Sequence, residues 1–99
     1  MIFMLTAWYP YPKTKEVVKK TISNPQLPDY IKKWQAFGTP DGNNGMKVYN
    51  LIMVEKDKTD EALIFISRLQ GEFTDIDGYV WRIEPCMGVQ DALKVLEID

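Results

Sequence analysis

The run Thr39-Pro40-Asp41-Gly42-Asn43-Asn44-Gly45 gathers nearly every residue type that turns a chain. Proline fixes φ, glycine permits positive φ, and Asn and Asp side chains bond nearby backbone groups. β-rich runs flank it, IKKWQAF before and MKVYNLIMVE after. Tyr30 to Glu55 therefore predicts a hairpin with a longer loop. The glycines make no phosphate cradle, because the Walker spacing is missing and Gly45 leads into a strand pattern. The two arms differ. Lys32, Lys33 and Gln35 interrupt Trp34, Ala36 and Phe37, the half-polar profile of an edge strand. In the second arm Met46, Val48, Ile52 and Val54 alternate with Tyr49, Leu51 and Met53. Both of its faces are apolar, which predicts a strand covered on both sides.

Ile2 to Tyr9 has the same double face, with Ile2, Met4, Thr6 and Trp8 alternating against Phe3, Leu5, Ala7 and Tyr9. Pro10 and Pro12 end it, since proline cannot donate to a ladder. Lys13 to Ser23 predicts a helix, with Val17, Val18, Thr21 and Ile22 on one side and Lys15, Glu16, Lys19 and Lys20 outside. Pro12 suits its first turn, Asn24-Pro25 stops it, and Pro25 to Asp29 connects onward. A second helix opens at Asp57-Lys58-Thr59-Asp60-Glu61, capped by Thr59 or Asp57, with acids where the dipole favours them. Ala62, Phe65, Ile66 and Leu69 form its buried stripe, Gly71 is its C′ residue, and Phe73 and Ile76 fold back into the core. Asp77-Gly78 turns into Tyr79–Glu84, whose clean alternation marks an edge strand ended by Pro85. Val89 to Leu96 predicts a short C-terminal helix.

The order is βαββαβ plus a helix, the split βαβ of the ferredoxin-like α+β fold. That topology predicts an antiparallel sheet in the order 4-1-3-2, with the first and third strands central. Polarity agrees independently, because those two strands are the ones apolar on both faces. Ninety-nine residues suffice for a single domain, 1–99, with its own core. Both longer helices lie on one face of such a sheet. The other face would then expose either Ile2, Met4 and Trp8 or Phe3, Leu5 and Tyr9. A large apolar side chain contributes about 1.5–3 kcal/mol when fully buried, so an open face of this kind predicts a cover. A second copy of the chain, sheet against sheet, is the simplest cover, and the C-terminal helix is the other candidate.

In that element order and length, over the whole chain, the sequence resembles the dimeric α+β-barrel families, in which two ferredoxin-like protomers face their sheets together. These include antibiotic-biosynthesis-type monooxygenases, muconolactone-isomerase-like proteins, ligand-binding domains of Lrp-type regulators and many small proteins of unknown function. The resemblance implies a homodimer through the open sheet face. No diagnostic motif places a family catalytic residue on a position of this chain.

The chain contains no histidine, which removes Ser-His-Asp and Cys-His catalysis, His-based zinc sites and histidine-ligated haem. Cys86 is the single cysteine, so no internal disulfide forms, and a reducing cytoplasm suits it. Without a base beside it, Cys86 reads as a half-buried packing thiol. Asp75-Ile76-Asp77-Gly78 matches a fragment of a calcium loop but lacks the remaining ligands, and neither metal nor cofactor is expected. The apolar start, Ile2 to Leu5, is too short for a signal peptide or a membrane span, so the reading is a cytoplasmic protein.

Residues 1–50 carry seven lysines against three acids, and 51–99 carry five basic against eleven acidic residues. The lysines divide between a helix and a strand, and no arginine precedes Arg68. Nucleic-acid binding is accordingly the weakest reading. The missing early arginine also sets aside acylphosphatases. RNA-recognition motifs are set aside because only Tyr49 supplies an aromatic in the third strand. The remaining group is aromatic and polar: Trp8, Trp34, Tyr49, Asn50, Trp81 and Arg82, all on strands. Converging, they would line a pocket for an apolar or aromatic small molecule, with Arg82 as anion anchor and Tyr49 or Asn50 as hydrogen-bonding handle. The function expected is a homodimeric ligand- or partner-binding module. The alternative is a cofactor-free enzyme of the monooxygenase or isomerase type with an inter-sheet pocket.

Overall fold

Period-two alternation of apolar side chains on both faces produces the two inner strands of the sheet. In the computed structural model, which describes residues 1–24 and 26–97, these are β1 (Ile2–Tyr9) and β3 (Met46–Val54). The outer strands are β2 (Ile31–Pro40) and β4 (Val80–Cys86). The sheet runs β2-β3-β1-β4 with every pairing antiparallel, the strand order expected of a split βαβ unit. Across Ile2–Trp8, register aligns four residues in each cross-sheet row, for example Ala36, Asn50, Leu5 and Ile83. Among the described residues, three helices complete this α+β fold: α1 (Thr14–Ile22), α2 (Thr59–Gly71) and α3 (Val89–Val95). No helix among the described residues is long and apolar enough to cross a membrane. Pro25, the expected helix stop, lies outside the described residues.

Several boundaries differ from the sequence reading, each for a local reason. Pro85 does not end β4 but pairs opposite Phe3 inside it, which an edge strand tolerates because proline's missing N–H can face away from the ladder. β2 runs on to Pro40, paired with Met46, again at an edge. Pro12 lies in a 3₁₀ turn, Tyr11–Lys13, ahead of α1 rather than within it. Lys58 occupies the N-cap of α2 with no side-chain cap bond, while the Thr59 hydroxyl reaches back to the Lys56 carbonyl at 3.4 Å. Gly71 is the last helical residue, and the chain continues into a right-handed Glu72, so no left-handed C′ glycine closes the helix.

Both long helices cover the face carrying Phe3, Leu5, Ala7 and Tyr9. α2 packs Ala62 and Ile66 onto Phe3, Leu5, Ile52 and Val54. α1 contributes Val17 to a second cluster with Tyr9, Phe73 and Ile76. The core is thus two clusters, one at each end of the sheet. The end of β1 is held by two loops whose glycines have positive φ. Gly45, at φ 83°, lies so near the Tyr9 carbonyl that a β-carbon would strike backbone, and Gly78, at φ 85°, sits against the Pro10 ring. The loop tip is pinned as well, because Tyr11 Oη donates to the Gly42 carbonyl at 2.9 Å.

The opposite face stays open. Phe37 (58 %) and Val80 (55 %) are exposed there, with Tyr49 and Met53 also accessible. α3 does not cover them, and itself exposes Val89, Val95 and Leu96.

Candidate functional site

Strand alternation divides the six aromatic and polar candidates between the two faces of the sheet. Trp8, Tyr49 and Arg82 lie on the open face; Trp34, Asn50 and Trp81 lie on the helix-covered face. They do not form one site.

On the open face, register sets Phe37, Tyr49, Thr6 and Arg82 in one row and Gln35, Leu51, Met4 and Glu84 in the next. Thr6 is buried beneath its larger neighbours. Lys47, opposite Trp8, holds its ammonium 5.4 Å from the Trp8 ring and 4.8 Å from the Tyr49 ring. The Arg82 guanidinium lies 5.6 Å from the Trp8 ring, and Arg82 Nε is 3.1 Å from a Glu84 carboxylate oxygen. Cations over aromatic faces are favourable, and they orient the rings. Trp8 Nε1 donates to Asp41 at 3.1 Å, fixing the indole against the hairpin loop. The Arg82–Glu84 pair is exposed at the margin of the face, where solvent screens it. The result is an apolar centre of Met4, Leu51, Tyr49 and Phe37, with charge at its margin.

On the covered face, Trp34 Nε1 donates to Asn50 Oδ1 at 2.9 Å, and Asn50 Nδ2 donates to the Leu5 carbonyl at 3.2 Å. Those bonds satisfy a carboxamide that β3 must bury among Val48 and Ile52. Trp81 packs half-buried on the first core cluster. Between the two clusters lies a cavity of about 490 Å³, floored by Ala7, Val48 and Asn50 and walled by α1 and α2. Its mouth opens where α1 ends, beside Ile22, Leu27 and Ala36.

Two residues central to this cavity escaped the sequence reading, Gln70 and Tyr79. The Tyr79 hydroxyl donates to Gln70 Oε1, and its ring stacks on Phe73 at 4.9 Å and on Tyr9 at 6.3 Å. Burial, with a smaller contribution from Tyr9, pushes the Tyr79 phenol far above its usual range, so it remains a donor. A signal for Gln70 was present, since it follows Ile66 by four residues and so continues the buried stripe of α2. Cys86 is half-buried, and its thiol contacts the Glu84 carbonyl at 3.7 Å. Asp75 serves Lys20 at 3.1 Å, tying α1 to the loop after α2. Comparison with protein-family models, curated proteins and solved structures finds no match to the chain.

Proposed function

We propose that the chain is a homodimeric binding module of the ferredoxin-like, α+β-barrel kind, in which the open sheet faces of two copies meet. The observation that carries this reading is the face itself. Four antiparallel strands present Met4, Leu51, Tyr49, Phe37 and Val80 with no helix over them among the described residues. An apolar centre rimmed by Lys47, Arg82 and Glu84 has the anatomy of a subunit interface. A sheet face is also self-complementary under a two-fold axis, so one surface suffices for both partners. α3, with Val89, Val95 and Leu96 exposed beyond the end of β4, would extend the contact onto the partner.

Native mass spectrometry and light scattering test this directly. The wild-type chain is expected as a dimer, and Leu51→Lys, which sets a charge at the centre of the face, as a folded monomer by circular dichroism. A wild-type chain that stays monomeric at every concentration reached would overturn the reading. So would a Leu51→Lys variant that remains fully dimeric.

A further inference from the structure

We propose that the cavity between the sheet and α1 and α2 binds an uncharged, mainly apolar small molecule bearing one hydrogen-bond acceptor, such as a ketone oxygen. This site lies on the face opposite the proposed dimer contact and stands independently of it.

Its size comes first. About 490 Å³ falls within the range of small-molecule pockets, and well above the voids left by imperfect packing. Its chemistry comes second. Among the described residues, no Lys, Arg, Asp or Glu lines it. The nearby Lys20 is turned outward, donating to the Glu72 carbonyl at 2.8 Å and pairing with Asp75. A charged ligand would lose its hydration there with no counter-charge to replace it.

The third point is a poised donor. Tyr79 keeps its proton and donates it to Gln70 Oε1, and this decides which way the Gln70 carboxamide faces. Gln70 Nε2 then has no hydrogen-bond acceptor among the described residues, although no buried side-chain nitrogen or oxygen there lacks a partner. The amide nitrogen therefore opens onto the cavity that Gln70 lines. Asn50 differs, because its oxygen is taken by Trp34 and its nitrogen by the Leu5 carbonyl. Gln70 is the handle and Asn50 part of the floor.

The mouth is the fourth. α1 directs an apolar stripe at the cavity, yet Ile22 is 79 % exposed, and Val18 and Leu27 are also accessible. Apolar side chains around an opening into an apolar cavity are what an apolar molecule would cover.

The test is fluorescence titration of the full chain with N-phenylnaphthylamine, a neutral dye that brightens in apolar sites, followed by displacement. Methyl nonyl ketone is expected to displace the dye, with decanoate and decylammonium at least ~10-fold weaker. Gln70→Leu should weaken the ketone about fivefold while leaving decane unchanged, since one hydrogen bond is lost. Ala7→Leu at the floor and Ala36→Trp at the mouth should each abolish dye binding. Circular dichroism checks their folding, and Ala36 lies at an exposed edge-strand position where a larger side chain can be accommodated. No dye binding by wild type overturns the proposal. Equal displacement by the charged amphiphiles overturns the ligand class. Dye binding that survives Ala7→Leu and Ala36→Trp but is lost in Tyr49→Glu puts the dye on the open face and also overturns it. A monomeric wild type that binds the dye as described refutes only the dimer.

Discussion

Tyr79 concentrates the chemistry that single residues contribute here. Its ring stacks with both Phe73 and Tyr9, and its hydroxyl orients Gln70. Burial raises its phenol above the ordinary value, so the native state holds that proton more tightly than the unfolded chain does. The sign follows. Below pH ~10 both states are protonated, and the stability associated with this group is fully present. As pH rises beyond that, the unfolded chain ionises first, and stability declines toward the native value. Followed by tyrosinate absorbance, one of the five tyrosines should ionise only as the protein unfolds. Tyr79→Phe should remove that late step. At neutral pH it should cost about 1 kcal/mol, because the Gln70 oxygen loses its partner. A late step that persists in Tyr79→Phe would assign it to another tyrosine.

At the scale of elements, the two helices on the same face are anchored very differently. α2 seats Ile66, wholly inaccessible, and Ala62 on the sheet, and buries Leu69 as well. α1 buries only Val17, while Val18 and Ile22 face the cavity mouth. Ile66→Ala should therefore destabilise by about 2–5 kcal/mol in urea unfolding. Ile22→Ala, on the same kind of apolar stripe, should change stability by no more than ~0.5 kcal/mol. Comparable losses from both would mean that α1 closes onto the sheet in solution. The contrast also explains why the amphipathic pattern of α1 was readable while its burial was not. Periodicity states which side chains share a side, and the depth of what they meet depends on where α1 sits over the sheet.

For the whole molecule, an open apolar sheet face ties stability to assembly. If two copies share that face, unfolding exposes it twice, and the melting temperature rises with protein concentration. Differential scanning calorimetry over a wide dilution series should record that rise for the wild type and a concentration-independent transition for Leu51→Lys. The same flat melting temperature in both would leave no interface at Leu51.

Much of this architecture was legible residue by residue. Ile2–Tyr9 and Met46–Val54 are apolar on both faces, and that alone marked β1 and β3 as central strands with the polar-interrupted runs outside them. The turn run at Thr39–Gly45 determined the hairpin, because few other conformations suit those residues. What the residues did not contain was the choice of face. Two apolar faces are equivalent by alternation, and only the packing of α1 and α2 selected Phe3, Leu5, Ala7 and Tyr9 for the core. That selection separated Trp34, Asn50 and Trp81 from Trp8, Tyr49 and Arg82, and it brought Gln70 and Tyr79 together on the covered side. Local pattern records how a side chain alternates with its neighbours, whereas contacts between distant residues follow from strand register and helix docking, which arise only as the chain packs.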